Sequence, residues 1–257
     1  MTRPVAVVTG ASRGIGRGIA VALAESGHDV VLGFTSDSAG VAHTSEAVRR
    51  AGGRAVAVQG DVRDAQTSRL LAETAFEELG DLCVWVNNAG VSSIAPVEST
   101  PAFDLERMLA VNVIGTLHGM QAATPVLRAR GGGRIVNLAS DLGVQGGEFL
   151  GAYAATKFAV VGLTQSAALE LAAAGITVNA VCPGTVETDM VLDEWRTQSA
   201  LTGESVDAVR TSYLDAIPAA RFCTPADVGH AVAFLASSSA SYVTGQSLCV
   251  NGGSVLH

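Results

Sequence analysis

The sequence predicts an α/β fold: a single domain built on a doubly wound parallel sheet of about seven strands, with helices on both faces. Three observations lead to this prediction. Strand-like and helix-like segments alternate along nearly the whole chain. The strand-like segments are short apolar runs, which suit strands buried on both faces. A glycine-rich turn joins the first strand to the first helix, as in Rossmann-type domains. The length of 257 residues suits one such domain.

The first strand is predicted at 4–9, because Val5 to Val8 form an unbroken apolar run before Thr9 and Gly10. Comparable runs follow at regular intervals along the chain. Further strands are expected at 29–34, 54–60, 82–87, 133–139, 177–182 and 246–251.

The first helix is predicted at 14–26, because apolar residues from Ile15 onward follow helical spacing until Gly27, a natural C-cap. Right-handed crossovers through such helices place ligands at the carboxyl ends of the strands. Further helices are expected at 38–51, 65–79, 102–130, 152–174 and 225–237.

Residues 185–218 interrupt this alternation between the sixth strand and the last helix. The segment mixes Trp195, Leu201, Tyr213 and Leu214 with many polar residues. A long insertion of this kind usually forms a lid or a binding segment. A pair of surface helices without a functional part is the alternative that the sequence leaves open.

Composition excludes several classes of protein. The formal net charge of −8 disfavours a nucleic-acid surface. Apolar stretches are too short to span a membrane, and a buried-looking strand at Val5 leaves no room for a secretory signal. The four cysteines lack metal-site or disulfide spacing, so we expect no metal. We therefore expect a cytoplasmic protein with reduced thiols.

Glycines 10, 14 and 16 form the turn between the first strand and the first helix. Their small size lets the backbone approach a pyrophosphate closely, and the N-terminus of the helix supplies free N–H groups and a favourable dipole. The spacing G-x-x-x-G-x-G differs from the more usual G-x-G-x-x-G. A plain glycine-rich turn is the alternative interpretation.

Tyr153 and Lys157 lie four residues apart, and Ser140 precedes Tyr153 by thirteen residues. Four residues are about one helical turn, so a phenol and an ammonium share one helix face. A nearby cation favours the phenolate and lowers the pKa of a phenol from about 10. We therefore expect an acid/base group tuned by Lys157, with the Ser140 hydroxyl near a reacting oxygen. An amphipathic surface pair is the alternative for Tyr153 and Lys157 alone.

These motifs occur in a particular order along residues 4 to 253. The series is Thr9-Gly10-x-x-x-Gly14-x-Gly16, Asn87-Asn88-Ala89-Gly90, Asn112, Ser140, Tyr153-x-x-x-Lys157 and Pro183-Gly184. In order and spacing it resembles the short-chain dehydrogenase/reductase family. Within that family, the C-terminal Val243-Thr244-Gly245-Gln246 and Asn251-Gly252-Gly253 resemble bacterial 3-oxoacyl-carrier-protein reductases and polyketide ketoreductases.

The resemblance implies catalytic roles for four residues. Ser140 orients the substrate carbonyl, and Tyr153 transfers the proton. Lys157 holds the nicotinamide ribose and lowers the pKa of Tyr153. Asn112 carries a water relay to Lys157 from within the helix 102–130, although a capped or solvent-facing asparagine is the alternative interpretation. The implied reaction is hydride transfer between nicotinamide and a carbonyl or secondary alcohol carbon.

The resemblance also implies the residues that bind the cofactor. Asn87 is expected to brace the sheet, while Asp61 and Val62 contact the adenine. An isolated Asp after a strand is more often a helix cap, and Asp61 is compatible with both roles. Pro183, Gly184, Val186 and Thr188 are expected to hold the carboxamide. The complete expected set is Gly10, Ser12, Arg13, Gly14, Ile15, Gly16, Thr35, Ser36, Asp61, Val62, Asn88, Ala89, Gly90, Tyr153, Lys157, Pro183, Gly184, Val186 and Thr188.

The end of the second strand favours NADP(H), with NAD(H) as the alternative. By resemblance the position of an NAD-selecting acid falls on Phe34. Thr35 and Ser36 follow with hydroxyls, and Arg13 in the glycine turn is aimed at the same place, which suits a 2′-phosphate. Asp37 is evidence against this prediction, because it lies 21 residues after Gly16, near the spacing expected of an NAD-selecting acid. We interpret it as the N-cap of the helix at 38–51.

The substrate is less well specified. Ser140, Gln145, Glu148 and Tyr153 are the expected substrate contacts. The favoured function is NADPH-dependent reduction of a 3-oxoacyl or polyketide-like ketone, either free or bound to a carrier protein. The alternative is an acetoin/diacetyl or polyol (sugar alcohol) dehydrogenase, which the sequence 190–195 also resembles. A non-catalytic NADP-binding sensor is more remote. The resemblance further implies a homotetramer, paired through helices 102–130 and 152–174 and the last strand.

Overall fold

The structure, a computed structural model, describes residues 3–256. Seven strands form one sheet, and each lies within one residue of its predicted bounds at either end. Strands β1 to β7 span Val5–Val8, Asp29–Phe34, Ala55–Gln59, Leu82–Asn87, Gly133–Leu138, Ile176–Pro183 and Ser247–Val250.

The helices follow the predicted order, with additions in two places. The helices α1 to α9 span Gly14–Glu25, Ser38–Arg50, Ala65–Thr74, Ala102–Met108, Gly115–Arg130, Gly151–Leu171, Asp189–Thr202, Val206–Asp215 and Pro225–Ala236. The predicted helix 102–130 is divided into α4 and α5 by a π-helical segment, Leu109–Ile114. The insertion at 185–218 contains α7 and α8. No helix of residues 3–256 is both long and apolar enough to cross a membrane.

All neighbouring strands pair in parallel, in the order β3-β2-β1-β4-β5-β6-β7. This order confirms the predicted doubly wound α/β fold. The chain reverses its direction of winding between β1 and β4. In sheets of this kind the crevice at that point, outside the carboxyl ends of the strands, is where ligands bind.

Apolar side chains cover both faces of the sheet. On one face, Ile19 and Leu23 of α1 pack with Val232 and Leu235 of α9. On the other face, the cluster is formed by side chains of α3, α5 and α6, including Leu71, Leu127 and Leu171. The inner strands β1, β2, β4, β5 and β6 are buried along nearly their whole length, so the architecture requires their continuous apolar runs, whereas the edge strands β3 and β7 are partly exposed.

A buried polar network crosses the centre of the sheet. Trp85 Nε1 donates to Asn87 Oδ1 at 2.8 Å, and Asn87 Nδ2 donates to Asn137 Oδ1 at 2.8 Å. Asn137 Nδ2 in turn donates to Thr164 Oγ1 of α6 at 2.9 Å. The network links β4, β5 and α6, which confirms the expectation that Asn87 braces the sheet.

Helices α1 and α9 touch through glycines. A Cβ on Gly18 of α1 would lie 2.3 Å from the carbonyl oxygen of Pro225, and a Cβ on Gly229 of α9 would lie 2.6 Å from that of Gly18. Real Cβ atoms do not approach backbone so closely, so the crossing of these two helices requires residues without side chains.

We expect Gly18→Ala to lower the free energy of unfolding by about 1–3 kcal/mol, since the added methyl must push α9 away from α1. The matched control is Gly162→Ala in α6, where nothing lies within 4 Å of the added Cβ. There alanine removes the entropic disadvantage of a helical glycine and should stabilise by up to about 1 kcal/mol. Urea unfolding of both variants measures the difference. Equal effects at the two positions would contradict the proposed steric origin.

Candidate active site

The glycine turn lies at the carboxyl end of β1, where α1 begins. Gly10 and Gly14 have φ of +64° and +52°, a conformation that favours glycine. A Cβ on Gly16 would lie 2.2 Å from the carbonyl oxygen of Gly10. Within residues 3–256, no side chain caps the start of α1. The N–H groups of its first turn are therefore available to an anion, so the turn fits a pyrophosphate.

Asn88 fastens this turn to the end of β4. Its Nδ2 donates to the carbonyl oxygens of Thr9 and Gly10 at 2.9 and 3.0 Å. The Thr9 hydroxyl oxygen accepts from the backbone N–H groups of Asn88 and Ala89 at 3.0 and 3.1 Å. Thr9 and Asn88 thus each bind the other's backbone between β1 and β4, where the direction of winding reverses. The sequence analysis named Asn88 only as a cofactor contact and missed this positioning role.

The ends of β2 and β3 lie side by side. Thr35 and Ser36 are exposed there, and Thr35 Oγ1 donates to the Gly60 carbonyl oxygen at 3.5 Å. Asp37 caps α2, because its side chain accepts from the N–H of Gly40 at 2.8 Å. The interpretation of Asp37 as a helix cap is therefore confirmed, and its carboxylate is engaged by that cap.

One interpretation in this region is wrong. Asp61 is not a helix cap: it pairs with Arg63 at 2.6 Å, and this hydrogen bond lowers the pKa of the Asp61 carboxyl. Asp64 caps α3 instead, accepting from Gln66 N at 2.8 Å. Arg13 forms an ion pair with Asp189 at the start of α7, with an Nη1–Oδ2 distance of 3.0 Å.

Ser140, Tyr153 and Lys157 meet at the carboxyl edge of the sheet. Ser140 follows β5, where its Oγ donates to Asp141 Oδ1 at 3.0 Å. Tyr153 and Lys157 lie one turn apart at the start of α6. Lys157 is buried, with its Nζ 5.5 Å from the centroid of the Tyr153 ring and 2.8 Å from the Leu138 carbonyl oxygen to which it donates. The pair is therefore not the exposed surface pair of the alternative interpretation.

The electrostatics of Tyr153 differ from the prediction. Burial raises the pKa of the Tyr153 phenol above its ordinary value, and the carboxylates of Glu194 and Asp141 raise it further, while the Ser140 hydroxyl opposes them. Burial also lowers the pKa of Lys157 to about 8. The prediction that Lys157 lowers the pKa of Tyr153 is therefore wrong for this structure. A phenol of this kind holds its proton at neutral pH.

Asn112 lies inside the π-helical segment between α4 and α5 and is buried. Its Oδ1 accepts from Val91 N at 2.9 Å, and its Nδ2 donates to the Val91 carbonyl oxygen at 2.9 Å and to Thr156 Oγ1 at 3.0 Å. Thr156 Oγ1 donates to the Tyr153 carbonyl oxygen at 2.7 Å. Asn112 therefore ties the loop after β4 to the turn of α6 that carries Tyr153, and it is neither a cap nor solvent-facing.

A cavity of about 420 Å³ opens in front of Tyr153. The loop after β5, the loop after β6 and helices α7 and α8 form its walls. The expected residues Ile15, Ser140, Gln145, Glu148, Tyr153, Pro183, Gly184, Val186 and Thr188 all line it. Asp141, Met190, Glu194, Gln198 and Tyr213 line it as well, although none of them was predicted individually as a substrate contact. The last four lie in the insertion predicted as a lid or binding segment, and Met190 and Glu194 also fall within 190–195, which resembles acetoin and polyol dehydrogenases.

Other expected residues lie outside this cavity but near the same edge of the sheet. A Cβ placed on Gly90 would lie 3.5 Å from Asn112 Oδ1 and 3.7 Å from Lys157 Nζ. Gly90 thus leaves the space between these two polar groups open. Val62 packs against Gly115 at the start of α5. The region from the glycine turn to the cavity is one continuous edge, from β3 through β1 and β4 to β6.

Residues 4–199 match the family model for short chain dehydrogenases. The chain is 39% identical over 253 residues to a diacetyl reductase ((S)-acetoin forming) of Staphylococcus epidermidis, covering 97% of this chain and 98% of that protein. It is 38% identical over 248 residues to the 3-oxoacyl-(acyl-carrier-protein) reductase FabG of Staphylococcus aureus, covering 96% of each.

Among solved structures, the chain is similar to a candidate NAD(P)-dependent gluconate 5-dehydrogenase from Beutenbergia cavernae with NADP bound at low occupancy. The TM-score is 0.86 and the sequence identity is 38%, with 98% of this chain and 97% of that chain covered. The agreement extends over the whole layered fold and includes the insertion at 185–218.

Proposed function

The chain belongs to the short-chain dehydrogenase family and is an NAD(P)-dependent oxidoreductase acting on CH–OH/C=O groups; from this premise we propose that it reduces a ketone to a secondary alcohol with NADPH. The observation that carries the proposal is the meeting of Ser140, Tyr153 and Lys157 beside the glycine turn. A 3-oxoacyl or polyketide-like ketone is the first candidate substrate.

The protonated phenol favours the reductive direction. Tyr153 holds its proton at neutral pH because burial raises its pKa, so it acts as the general acid toward the carbonyl oxygen. The Ser140 hydroxyl, which donates to Asp141 Oδ1 in this structure, would turn to donate to the same oxygen and orient it. As the proton leaves, the buried ammonium of Lys157 stabilises the phenolate that forms. Asn112 holds the turn of α6 in which these groups lie and is proposed to carry the water relay to Lys157.

The cofactor would be held by the expected residues around the glycine turn. Gly10, Ser12, Gly14 and Gly16 present backbone to the pyrophosphate, and Lys157 binds the nicotinamide ribose. Asn88, Ala89 and Gly90 pass beneath the adenosine ribose, while Asp61 and Val62 contact the adenine. The loop from Pro183 to Thr188 holds the carboxamide. When bound, the nicotinamide supplies the hydride.

We propose a preference for NADPH in which Arg13 binds the 2′-phosphate with help from Thr35 and Ser36. The pair between Arg13 and Asp189 does not prevent this, because both side chains are 66% exposed. Such a surface pair contributes about 0.2–1 kcal/mol, whereas a charge-assisted hydrogen bond contributes about 1.5–3 kcal/mol. Arg13 therefore gains by exchanging Asp189 for a phosphate.

We expect Arg13→Ala to weaken NADPH binding by roughly 10–100-fold, because one charge-assisted contact is lost. NADH binding should change little, since that cofactor lacks the phosphate. Titration of the quenching of protein fluorescence by each cofactor measures both constants. Asp189→Asn is the matched control and should leave NADPH binding equal or slightly tighter. Equal weakening of both cofactors by Arg13→Ala would remove Arg13 from the selection of NADPH.

The experiment that tests the function is a panel of carbonyl substrates with NADPH and with NADH, followed by loss of reduced-cofactor absorbance. Acetoacetyl thioester represents the first candidate class. Diacetyl and several sugars represent the second. Turnover of any member supports a ketoreductase, and the fastest member sets the substrate class. No turnover together with tight NADPH binding would favour the remote alternative, a non-catalytic NADP-binding sensor.

The second candidate function is reduction of diacetyl or acetoin, or oxidation of a polyol. Two observations favour it. A diacetyl reductase is as similar to this chain as FabG is. The cavity is lined by three acidic residues, Asp141, Glu148 and Glu194, which suits a neutral hydroxylated substrate better than an acidic carrier protein.

Three further proposals concern the whole molecule. Residues 185–218 act as a substrate-binding lid on the single domain 1–257. Four such chains form a homotetramer through residues 102–130 and 152–174 and through β7, which the exposed Phe158 and Leu169 on α6 support. A sedimentation profile containing only monomer would refute the tetramer.

The four cysteines are unpaired thiols, which supports a cytoplasmic location.

A further inference from the structure

Glu194 is the one carboxyl group that α7 brings into the cavity. It accepts a hydrogen bond from the Ser92 hydroxyl in the loop after β4. This contact ties α7 to the loop after β4 and holds the carboxyl group in place. Its neighbour Asp193 points the other way, with a side chain 72% exposed and paired to Arg196 at 2.7 Å.

Glu194 faces the reacting phenol. Burial raises the pKa of Tyr153 and of Tyr213 on α8, and the charge of Glu194 raises both further. Burial also raises the pKa of Glu194 itself, and the hydrogen bond from Ser92 opposes this by favouring the carboxylate. The Tyr213 hydroxyl itself donates to Gln198 Oε1 at 3.0 Å. Glu194 thus lies near both phenols that line the cavity.

No basic side chain balances this charge within the cavity. Among its described lining residues, the charged ones are Asp141, Glu148 and Glu194, and none is a lysine or an arginine. Lys157 lies behind Tyr153 and donates to the Leu138 carbonyl oxygen. A substrate carboxylate would therefore meet only negative charge, whereas a hydroxyl or amino group would find acceptors.

We propose that Glu194 selects substrates by charge: it accepts a hydrogen bond from a hydroxyl or amino group near the reacting carbonyl and repels substrates that carry a carboxylate there. This inference rests on the proposed ketone reduction and names its substrate class as small neutral or cationic ketones bearing a hydrogen-bond donor. It assigns a specificity role to a residue of the insertion and leaves the proton transfer to Tyr153.

The test compares three ketones that differ only in the group beyond the carbonyl. Acetoacetate carries a carboxylate, methyl acetoacetate an uncharged ester, and 4-hydroxy-2-butanone a hydroxyl donor. With NADPH, the wild type should prefer the two neutral ketones over acetoacetate. In Glu194→Gln, which keeps the size and hydrogen-bonding capacity but removes the charge, the ratio of kcat/KM for methyl acetoacetate over acetoacetate should fall roughly tenfold or more.

Two control variants separate charge from other effects. Asp193→Asn removes a neighbouring charge outside the cavity and should leave the ratio unchanged. Ser92→Ala removes the hydrogen bond to Glu194 but leaves its charge, so it should also preserve the preference for neutral ketones. A ratio changed as much by Ser92→Ala as by Glu194→Gln would overturn the proposal, because placement of α7 would then be responsible.

The outcomes also distinguish this inference from the proposed function. If wild type and variants reduce none of the ketones in this set or in the wider panel, the proposed function fails. If the wild type reduces them and Glu194→Gln leaves the ratio unchanged, only the role of Glu194 fails. Reduction of methyl acetoacetate by Glu194→Gln shows that the variant is folded and binds NADPH.

Discussion

Replacement of Tyr153 by phenylalanine is expected to lower kcat for ketone reduction by roughly 10²–10⁴-fold, the usual contribution of a positioned general acid. The variant keeps the ring and its packing and loses only the hydroxyl. Because the phenol is buried and its pKa is raised, water does not easily replace it as a proton donor. Steady-state kinetics on whichever ketone the panel identifies gives the value.

Tyr213→Phe is the matched control for this experiment. Tyr213 lines the same cavity, but its hydroxyl is bonded to Gln198 of the insertion. Its removal should change KM more than kcat. NADPH binding by Tyr153→Phe should stay nearly intact, which separates lost chemistry from lost folding. A Tyr153→Phe enzyme with normal kcat would exclude Tyr153 as the acid.

Lys157→Met is expected to give the second largest effect. The loss of a buried ammonium that stabilises charge near the phenol should lower kcat by roughly 10–100-fold, the equivalent of one charged hydrogen bond. Binding of NADPH should also weaken, because the ribose loses its proposed donor. Kinetics and cofactor titration of the same preparation measure both losses.

The same variant has a distinct effect on stability as pH changes. Burial lowers the pKa of Lys157 from 10.5 to about 8, so between these values the unfolded chain binds a proton that the folded chain does not. Stability of the wild type relative to Lys157→Met should therefore rise as pH increases through this window. Urea unfolding of both proteins at several pH values tests the sign, and parallel curves would contradict it.

A direct titration supports this comparison. Lys157 is the only lysine in the sequence, so lysine-selective isotope labelling gives a single side-chain signal in an NMR spectrum. Its chemical shift should titrate with a midpoint near 8. A midpoint at the ordinary value of 10.5 would mean that burial does not destabilise this ammonium. It would also contradict the predicted rise in the relative stability of the wild type with pH.

The strands could be predicted from the sequence because burial on both faces leaves a continuous apolar run in the inner strands. The runs around Val5 and Val84 need no knowledge of their partners. The same holds for Asp37, whose position before a helical segment predicts its role as a cap. These features depend on residues that are close together in the sequence, so the local sequence pattern is enough to predict them.

Features that depend on contacts between residues far apart in the sequence could not be predicted from it. The π-helical segment around Asn112 exists where Asn112 binds the Val91 backbone and Thr156, and none of these contacts is local. Arg13 turns toward Asp189 because α7 lies there. The sign of the pKa shift of Tyr153 depends on burial and on Glu194. The four-residue spacing of Tyr153 and Lys157 in the sequence does not indicate how deeply the phenol is buried or which charged groups lie near it.

The insertion has an apolar cluster of its own, in which Trp195 packs with Val209, Ile217 and Phe222. The chain has two tryptophans, and the other, Trp85, is hydrogen-bonded within the central sheet. Each indole therefore serves as a natural optical label for a different part of the molecule. In a Trp85→Phe protein the fluorescence comes from Trp195 alone, so a change in emission on ligand binding indicates that the surroundings of α7 change. In a Trp195→Phe protein it comes from Trp85 alone and reports whether the central sheet is intact.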